Sequence, residues 1–324
     1  MDELNNKPQI DEKAQDTSEL EQNNKSGNNN IKPKINPITA AFIGLFGGFF
    51  LYQFVGGVLT LLIFGFDLMK APVNSLRLMT VAGEILFILL PALIFSKIFY
   101  EDVGRIIRFK YPKIEEIFLF IIGIAVLTPL LQYYLSIQSY LLNEWSTSSS
   151  LFHSIRSYLD KLNDMVDQTY SNLLSTKSIL EGLLVIIVVS IVPAICEEVM
   201  FRGFIQKSFE FKFKPIWAAV ITAIFFGLYH FNPYGLIPLI ALGLYFGYAA
   251  YMSNSIFVPM SLHFINNFMA VIFYFIFGND DVINSSINKN FNLSSSLMIF
   301  AGLLILFFGV IFFIKRYYVQ TKKL

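Results

Sequence analysis

Six side chains in a strongly apolar chain have the types and spacing of a hydrolytic site. Glu197 and Glu198 are adjacent, Arg202 follows four residues after Glu198, and His230, His263 and Asn267 come later. A carboxylate beside an imidazole holds a water and takes its proton, and polar side-chain donors stabilise charge developing on a carbonyl oxygen. A helix turns by about 100° per residue, so Glu198 and Arg202 share a face and read as a buried ion pair. Glu197 then points away from Arg202 and is left to face a cavity. His263 and Asn267 are also four apart and can face the same point. Pro193, one turn before Glu197, has no N–H for the Val189 carbonyl, so the helix should kink or open there.

The composition says which solvent these groups live in. The 324 residues are 55% hydrophobic and 15% charged, with a mean hydropathy of +0.58. Soluble domains carry about 25% charged residues. The shortfall deepens past residue 35, because the first 35 residues hold 12 of the 47 charges. A soluble globular enzyme is excluded, and the chain belongs in a lipid bilayer. A net charge of +1 gives no footprint for nucleic acid. The single cysteine, Cys196, excludes an intrachain disulfide and a multi-cysteine metal site. Residues 1–35 are polar and read as a disordered cytoplasmic tail. Their Met1-Asp2-Glu3 opening is unlike the basic-then-apolar start of a secretory signal.

The expected fold is all-α and polytopic, with about eight transmembrane helices near 38–66, 79–99, 115–136, 182–206, 215–231, 236–252, 255–278 and 295–314. Residues 36–136 hold the first three. The segment 137–181 is an extramembrane loop, and 182–278 holds all six candidate residues. Residues 279–324 supply the last helix and a basic tail. Apolar residues from Leu151 to Leu174 approximate helical spacing, so the loop should carry an amphipathic helix on the outer face of the membrane. His153 reads there as an exposed residue. The pairs Gly44/Gly48 and Gly243/Gly247 are small residues at i,i+4 that let helices approach closely. Glu197 and His230 each lie about 16 residues, or about 24 Å, from the turn near Phe213-Lys214, so antiparallel helices bring them to one level. Glu84, close to the start of the second expected span, reads as an interfacial carboxylate and is left outside the site.

The three motifs, Glu197-Glu198-x-x-x-Arg202, Phe226-x-x-x-His230 and His263-x-x-x-Asn267, occur in that order on expected membrane helices. Together they resemble the CPBP family, which groups type II CAAX prenyl endopeptidases with bacterial intramembrane proteases of bacteriocin processing or self-immunity. The resemblance covers about residues 180–275. It implies an intramembrane endopeptidase acting on membrane-associated proteins or peptides. It also implies that Glu197 activates water with His230, that His263 and Asn267 stabilise the oxyanion, and that Glu198 and Arg202 support them. A glutamate-type hydrolase without a cofactor is the favoured form. A zinc metallopeptidase with ligands from Glu197, Glu198, His230 and His263 is the alternative, although no His-Glu-x-x-His motif is present. Two other classes stay open. Intramembrane Glu, Arg and His also build the proton relays of ion-coupled transporters, but the Glu-Glu-Arg motif is not duplicated between halves as a repeat would require. A catalytically silent bacteriocin-immunity or scaffold protein would keep the motifs as relics.

Orientation follows from Lys and Arg in alternate flanks. One side, which includes both ends of the chain, has 15 of them and the other has six. The positive-inside rule makes this a multi-pass protein of the cell membrane with both termini in the cytoplasm. Reporter fusions at residue 160 and at the C-terminus should therefore report opposite sides of the membrane; same-side signals would overturn this topology.

Overall fold

The structure is a computed structural model that describes residues 31–278 and 291–322. Within them the chain is helical and has no strand. Besides a single α-helical turn at Val103–Ile106, the helices are α1 (Pro37–Phe64), α2 (Val73–Tyr100), α3 (Ile114–Ser148), α4 (Ser150–Leu174), α5 (Ile179–Glu210), α6 (Pro215–Tyr229), α7 (Leu236–Ser253), α8 (Phe257–Phe277) and α9 (Leu293–Lys322). Seven of them, all but α4 and α6, are long and apolar enough to cross a membrane. This is an all-α polytopic membrane protein.

Local chemistry sets the ends. The Asn36 side chain accepts from the Ile38 N–H at 3.0 Å ahead of Pro37, the first residue of α1. Ser178 caps α5 by accepting from the Glu181 N–H, and Glu116 accepts from the Lys113 N–H at the start of α3. The expected turn at Ser253-Asn254 is present, with Asn254 in the left-handed region at φ 48°.

Helix α5 is the central element. Of residues 196–209, nearly all are buried, as a helix surrounded on every side requires. One apolar core joins its Phe201, Phe204 and Ile205 to Leu45 of α1 and Ala92 of α2. A second core joins α3, α7 and α9 through Phe120, Tyr245, Phe246 and Tyr318. Both glycine pairs lie at close approaches. A Cβ on Gly44 would stand 2.6 Å from the Phe204 ring, and one on Gly243 would stand 3.1 Å from Phe226.

Three helices depart from regular α geometry. Wide π-helical turns occupy Phe50–Gly56 in α1, Glu84–Leu89 in α2, and both Ile187–Ile191 and Val199–Ile205 in α5. In α2 and in α5 the first such stretch ends two residues before a proline, Pro91 or Pro193. A proline removes one backbone donor, and the turn preceding it widens.

Several expectations need correction. Residues 31–35 do not belong to the polar tail. Ile31 is buried, and the Lys34 N–H donates to Phe99 O at 2.8 Å. Residues 1–30 of that tail lie outside the described residues, as do 279–290 and 323–324. The loop expected from residue 137 begins later, because α3 runs unbroken to Ser148. The amphipathic helix exists as α4, but it packs against the bundle. Arg77 of α2, itself buried, holds its C-terminal end by donating from Nε to Leu173 O at 3.0 Å and from Nη2 to Ser175 O. A cation there also complements the helix dipole. Only part of the apolar stripe faces outward: Leu151 and Tyr158 are exposed, whereas Leu174 is buried. Helix α6, expected to reach residue 231, stops at Tyr229. Its 15 residues span about 22 Å, short of the roughly 30 Å hydrocarbon core.

Candidate active site

Eight of the nine helices enclose a cavity of about 950 Å³. Glu197 of α5, His230 at the end of α6 and Asn267 of α8 all line it. Glu198, Arg202 and His263 do not. The six residues expected to act together are therefore divided between a cavity wall and a buried cluster behind it.

The buried cluster is built on Arg202. A guanidinium with no exposed surface must find its partners within the protein. Arg202 donates from Nη1 to Glu198 Oε1 at 2.8 Å, the i,i+4 pair that the spacing requires. From Nη2 it donates to the Gly243 carbonyl at 3.2 Å. Its guanidinium also lies 4.2 Å from the centroid of the Phe226 ring and 5.3 Å from that of Phe246. The same carboxylate oxygen of Glu198 accepts from His263 Nδ1 at 2.8 Å. The His263 ring stacks on Phe246. This bond fixes the tautomer: Nδ1 carries the proton, so Nε2 of the neutral ring is an acceptor. A donor role for His263 toward an oxyanion therefore requires the imidazolium.

On the cavity side, each group is oriented by a backbone carbonyl. His230 caps α6, and its Nδ1–H donates to Phe226 O at 2.8 Å. The second nitrogen, Nε2, is thus an acceptor in the neutral ring. The neighbouring Tyr229 hydroxyl donates to Leu45 O, which ties the end of α6 to α1. Pro193 leaves the Val189 carbonyl without its helical donor, and Asn267 supplies one: its Nδ2 donates to Val189 O at 3.0 Å. The opening expected at Pro193 is therefore also the anchor that positions Asn267. One N–H of its amide remains. Glu197 Oε2 is buried without a hydrogen-bond partner among the described residues.

Sequence reasoning missed Glu84. Helix α2 begins at Val73 rather than near 79, so Glu84 lies 11 residues into the span and not at its edge. Glu84 is 5% exposed and lines the cavity, and Tyr52 of α1 hydrogen-bonds it. Its segment packs against Val192–Glu198 of α5. Pro72, which precedes the first turn of α2, is the sequence signal that marks the earlier start. Tyr170 of α4 also lines the cavity. Burial pushes its phenol up to about 12, with Glu197 and then Glu84 adding to the shift, so at neutral pH it is an uncharged donor.

The alternative zinc set fits poorly. Among the described residues no three His, Cys, Asp or Glu side chains converge as a metal site. Glu198 and His263 are bonded to each other, and the same Glu198 oxygen is already committed to the Arg202 guanidinium.

Comparison with known proteins gives a likeness over part of the chain. Residues 179–269 match the model of the type II CAAX prenyl endopeptidase Rce1-like family. Over this stretch the chain is similar to that family. The stretch contains all six expected residues, and the expected CPBP resemblance holds over it. Comparison with curated proteins and with solved structures gives no match. Glu84 and Tyr170 lie outside the Rce1-like stretch, so α2 and α4 add walls to a family core.

The cluster geometry separates the two adjacent glutamates by function. Glu198→Gln removes the charge that neutralises Arg202 and the acceptor of His263. It should cost about 3–5 kcal/mol of stability, the range for breaking one partner of a buried pair. Glu197→Gln breaks no bond of that cluster and should melt close to the wild type. Thermal melts in detergent compare them; equal losses would show that the Glu198–Arg202 pair does not hold this core.

Proposed function

We propose that the protein is an intramembrane endopeptidase of glutamate type, hydrolysing peptide bonds of membrane-associated proteins or peptides. The observation that carries this reading is the convergence of Glu197, His230 and Asn267 on one cavity within an Rce1-like core. Glu197 takes a proton from a water that His230 Nε2 also accepts from, and the resulting hydroxide attacks the scissile carbonyl. The free N–H of Asn267 donates to the oxyanion. The oxyanion role that the resemblance implies for His263 would need its ring, held by Glu198 behind the cavity wall, to reach the cavity as the imidazolium. Collapse of the tetrahedral intermediate breaks the C–N bond, and the proton taken from water passes to the leaving amine. Glu198 and Arg202 hold His263 and the α5–α7–α8 contact without touching the substrate. Both termini lie on the cytoplasmic side of the cell membrane.

Cleavage of a membrane peptide by the reconstituted protein tests this. Glu197→Gln keeps size and hydrogen bonding but removes the base, so turnover should be almost abolished. His230→Ala and His263→Ala should also lose activity. Asn267→Ala should lower turnover by about 10²–10³. Because it also orphans the Val189 carbonyl, it should cost about 1–3 kcal/mol of stability, read by melting the same sample. Activity should survive exhaustive chelation. Stoichiometric zinc, with activity lost on chelation and regained on zinc addition, would falsify the glutamate-type form and leave these residues as ligands. Full activity in Glu197→Gln would remove the mechanism and favour a silent scaffold.

A further inference from the structure

Two carboxylates face the cavity with an oxygen that no protein group satisfies. One is Glu197, which the hydrolytic reading uses. The other is Glu84, whose Oε2 is buried with no hydrogen-bond partner among the described residues. A buried carboxylate oxygen left unpaired is costly, and a second carboxylate in the same cavity adds repulsion. Among the described residues, the groups that interact with Glu84 are Tyr52, Tyr170, Cys196 and Glu197, none of them a cation. Facing the same cavity, helix α1 contributes Tyr52 and Gln53, α4 contributes Tyr170, α5 contributes Glu197, and the turn after α6 contributes His230.

The other charges on the cavity wall are already matched. Asp160 accepts from the Tyr234 hydroxyl at 2.5 Å and lies 3.6 Å from Arg156. Arg156 in turn donates to Asn143 Oδ1 at 2.7 Å. Asp167 accepts from Asn163 Nδ2 at 2.7 Å. Among the described cavity-lining residues, the unmatched acceptors besides the proposed base are Glu84 Oε2 and the amide oxygen of Gln138, and of these two only Glu84 is a carboxylate.

We propose that Glu84 recognises a cationic side chain of the substrate, so that the enzyme prefers a Lys or Arg near the scissile bond. This rests on the endopeptidase reading. A Lys or Arg reaches Glu84 through an apolar stem that suits the cavity's apolar lining, and its ammonium or guanidinium supplies the donors that Oε2 lacks. A cation placed there would also offset the repulsion between the Glu84 and Glu197 carboxylates where both are ionised, which gives the substrate a reason to enter this cavity.

The test uses the full-length protein in vesicles and a membrane peptide of otherwise neutral sequence. Lys is moved through each position around the cleaved bond, with norleucine, the same chain without the charge, as the reference. In wild-type protein, Lys at one position should raise kcat/KM at least about tenfold over norleucine. Glu84→Gln, which keeps the hydrogen bond to Tyr52, should bring that ratio close to one, and Glu84→Asp should keep part of it. A free N-terminus carries the same ammonium chemistry, so norleucine peptides with free and acetylated ends are compared; a preference for the free end alone would overturn the side-chain assignment. A ratio that Glu84→Gln leaves unchanged, even with activity lowered on all peptides, would show a purely structural role. Binding of the Lys and norleucine peptides, read by fluorescence without turnover, separates the two readings. If wild type cleaves neither peptide, the endopeptidase reading fails. Tighter binding of the Lys peptide, lost in Glu84→Gln, would still support recognition at Glu84, and equal binding would overturn it.

Discussion

The buried guanidinium of Arg202 constrains more of this structure than any other group. It has no exposed surface, so every part of its surroundings must answer its charge. Glu198 supplies the counter-charge, Gly243 supplies a carbonyl, and Phe226 and Phe246 supply ring faces. Glu198 shares α5 with Arg202, Phe226 comes from α6, and Gly243 and Phe246 come from α7; through the Glu198–His263 bond the cluster also ties in α8. The missing side chain of Gly243 admits α6, since a Cβ there would meet Phe226 and Ala223. Gln206, one turn on, repeats the contact by donating to Gly247 O at 3.0 Å. The small-residue pair on α7 thus admits α6 at Gly243, and both α6 and the Gln206 side chain of α5 at Gly247. Committing Glu198 to this cluster leaves Glu197, on another face, free for the cavity.

A second constraint is backbone chemistry within the membrane. Backbone carbonyls released from a helix need other donors, because hydrocarbon supplies none. Pro193 releases Val189 O, and Asn267 answers it from α8. A regular α5 would need no such donor, and α8 would lose a polar tie at the level of the site. The end of α6 follows the same logic. The helix stops at Tyr229, the His230 ring returns a hydrogen bond to Phe226 O, and Asn232 Oδ1 accepts from the Gly235 N–H at 2.7 Å. The turn at cavity depth therefore carries its own partners.

The sequence reveals the three motif helices well and the walls around them poorly. The i,i+4 pair of Glu198 and Arg202, the opening at Pro193 and the close approaches at both glycine pairs follow from helical geometry alone, and each is present. The division of the site does not follow from it. Spacing says that His263 and Asn267 share a face, but whether a side chain meets a cavity or a buried carboxylate depends on tertiary packing. Glu84 was hidden for a different reason. Hydropathy averages over a window, and the polar start of α2 (Asn74, Ser75, Arg77) places its apparent onset too late. Helix α4 was misplaced because an amphipathic pattern reports an apolar face and not what covers it. A membrane surface and a protein cavity satisfy the same stripe.

That ambiguity bears on how this site is divided between chemistry and choice of substrate. The family core at 179–269 supplies every group assigned to bond cleavage. Glu84, Tyr52 and Tyr170 come from α1, α2 and α4, outside it. Helix α4 is tied to the bundle by polar contacts at discrete points, at Arg77 and at the Tyr234–Asp160 bond, and its apolar residues there line the cavity. A wall held in this way can change its lining residues without disturbing Arg202 or the α5–α8 contact, because none of those bonds passes through it. On the proposed reading, then, the buried cluster conserves the geometry of hydrolysis while the outer helices set which peptide reaches Glu197. The unpaired oxygen of Glu84 lies where these two parts meet, on a segment packed directly against the helix that carries the base.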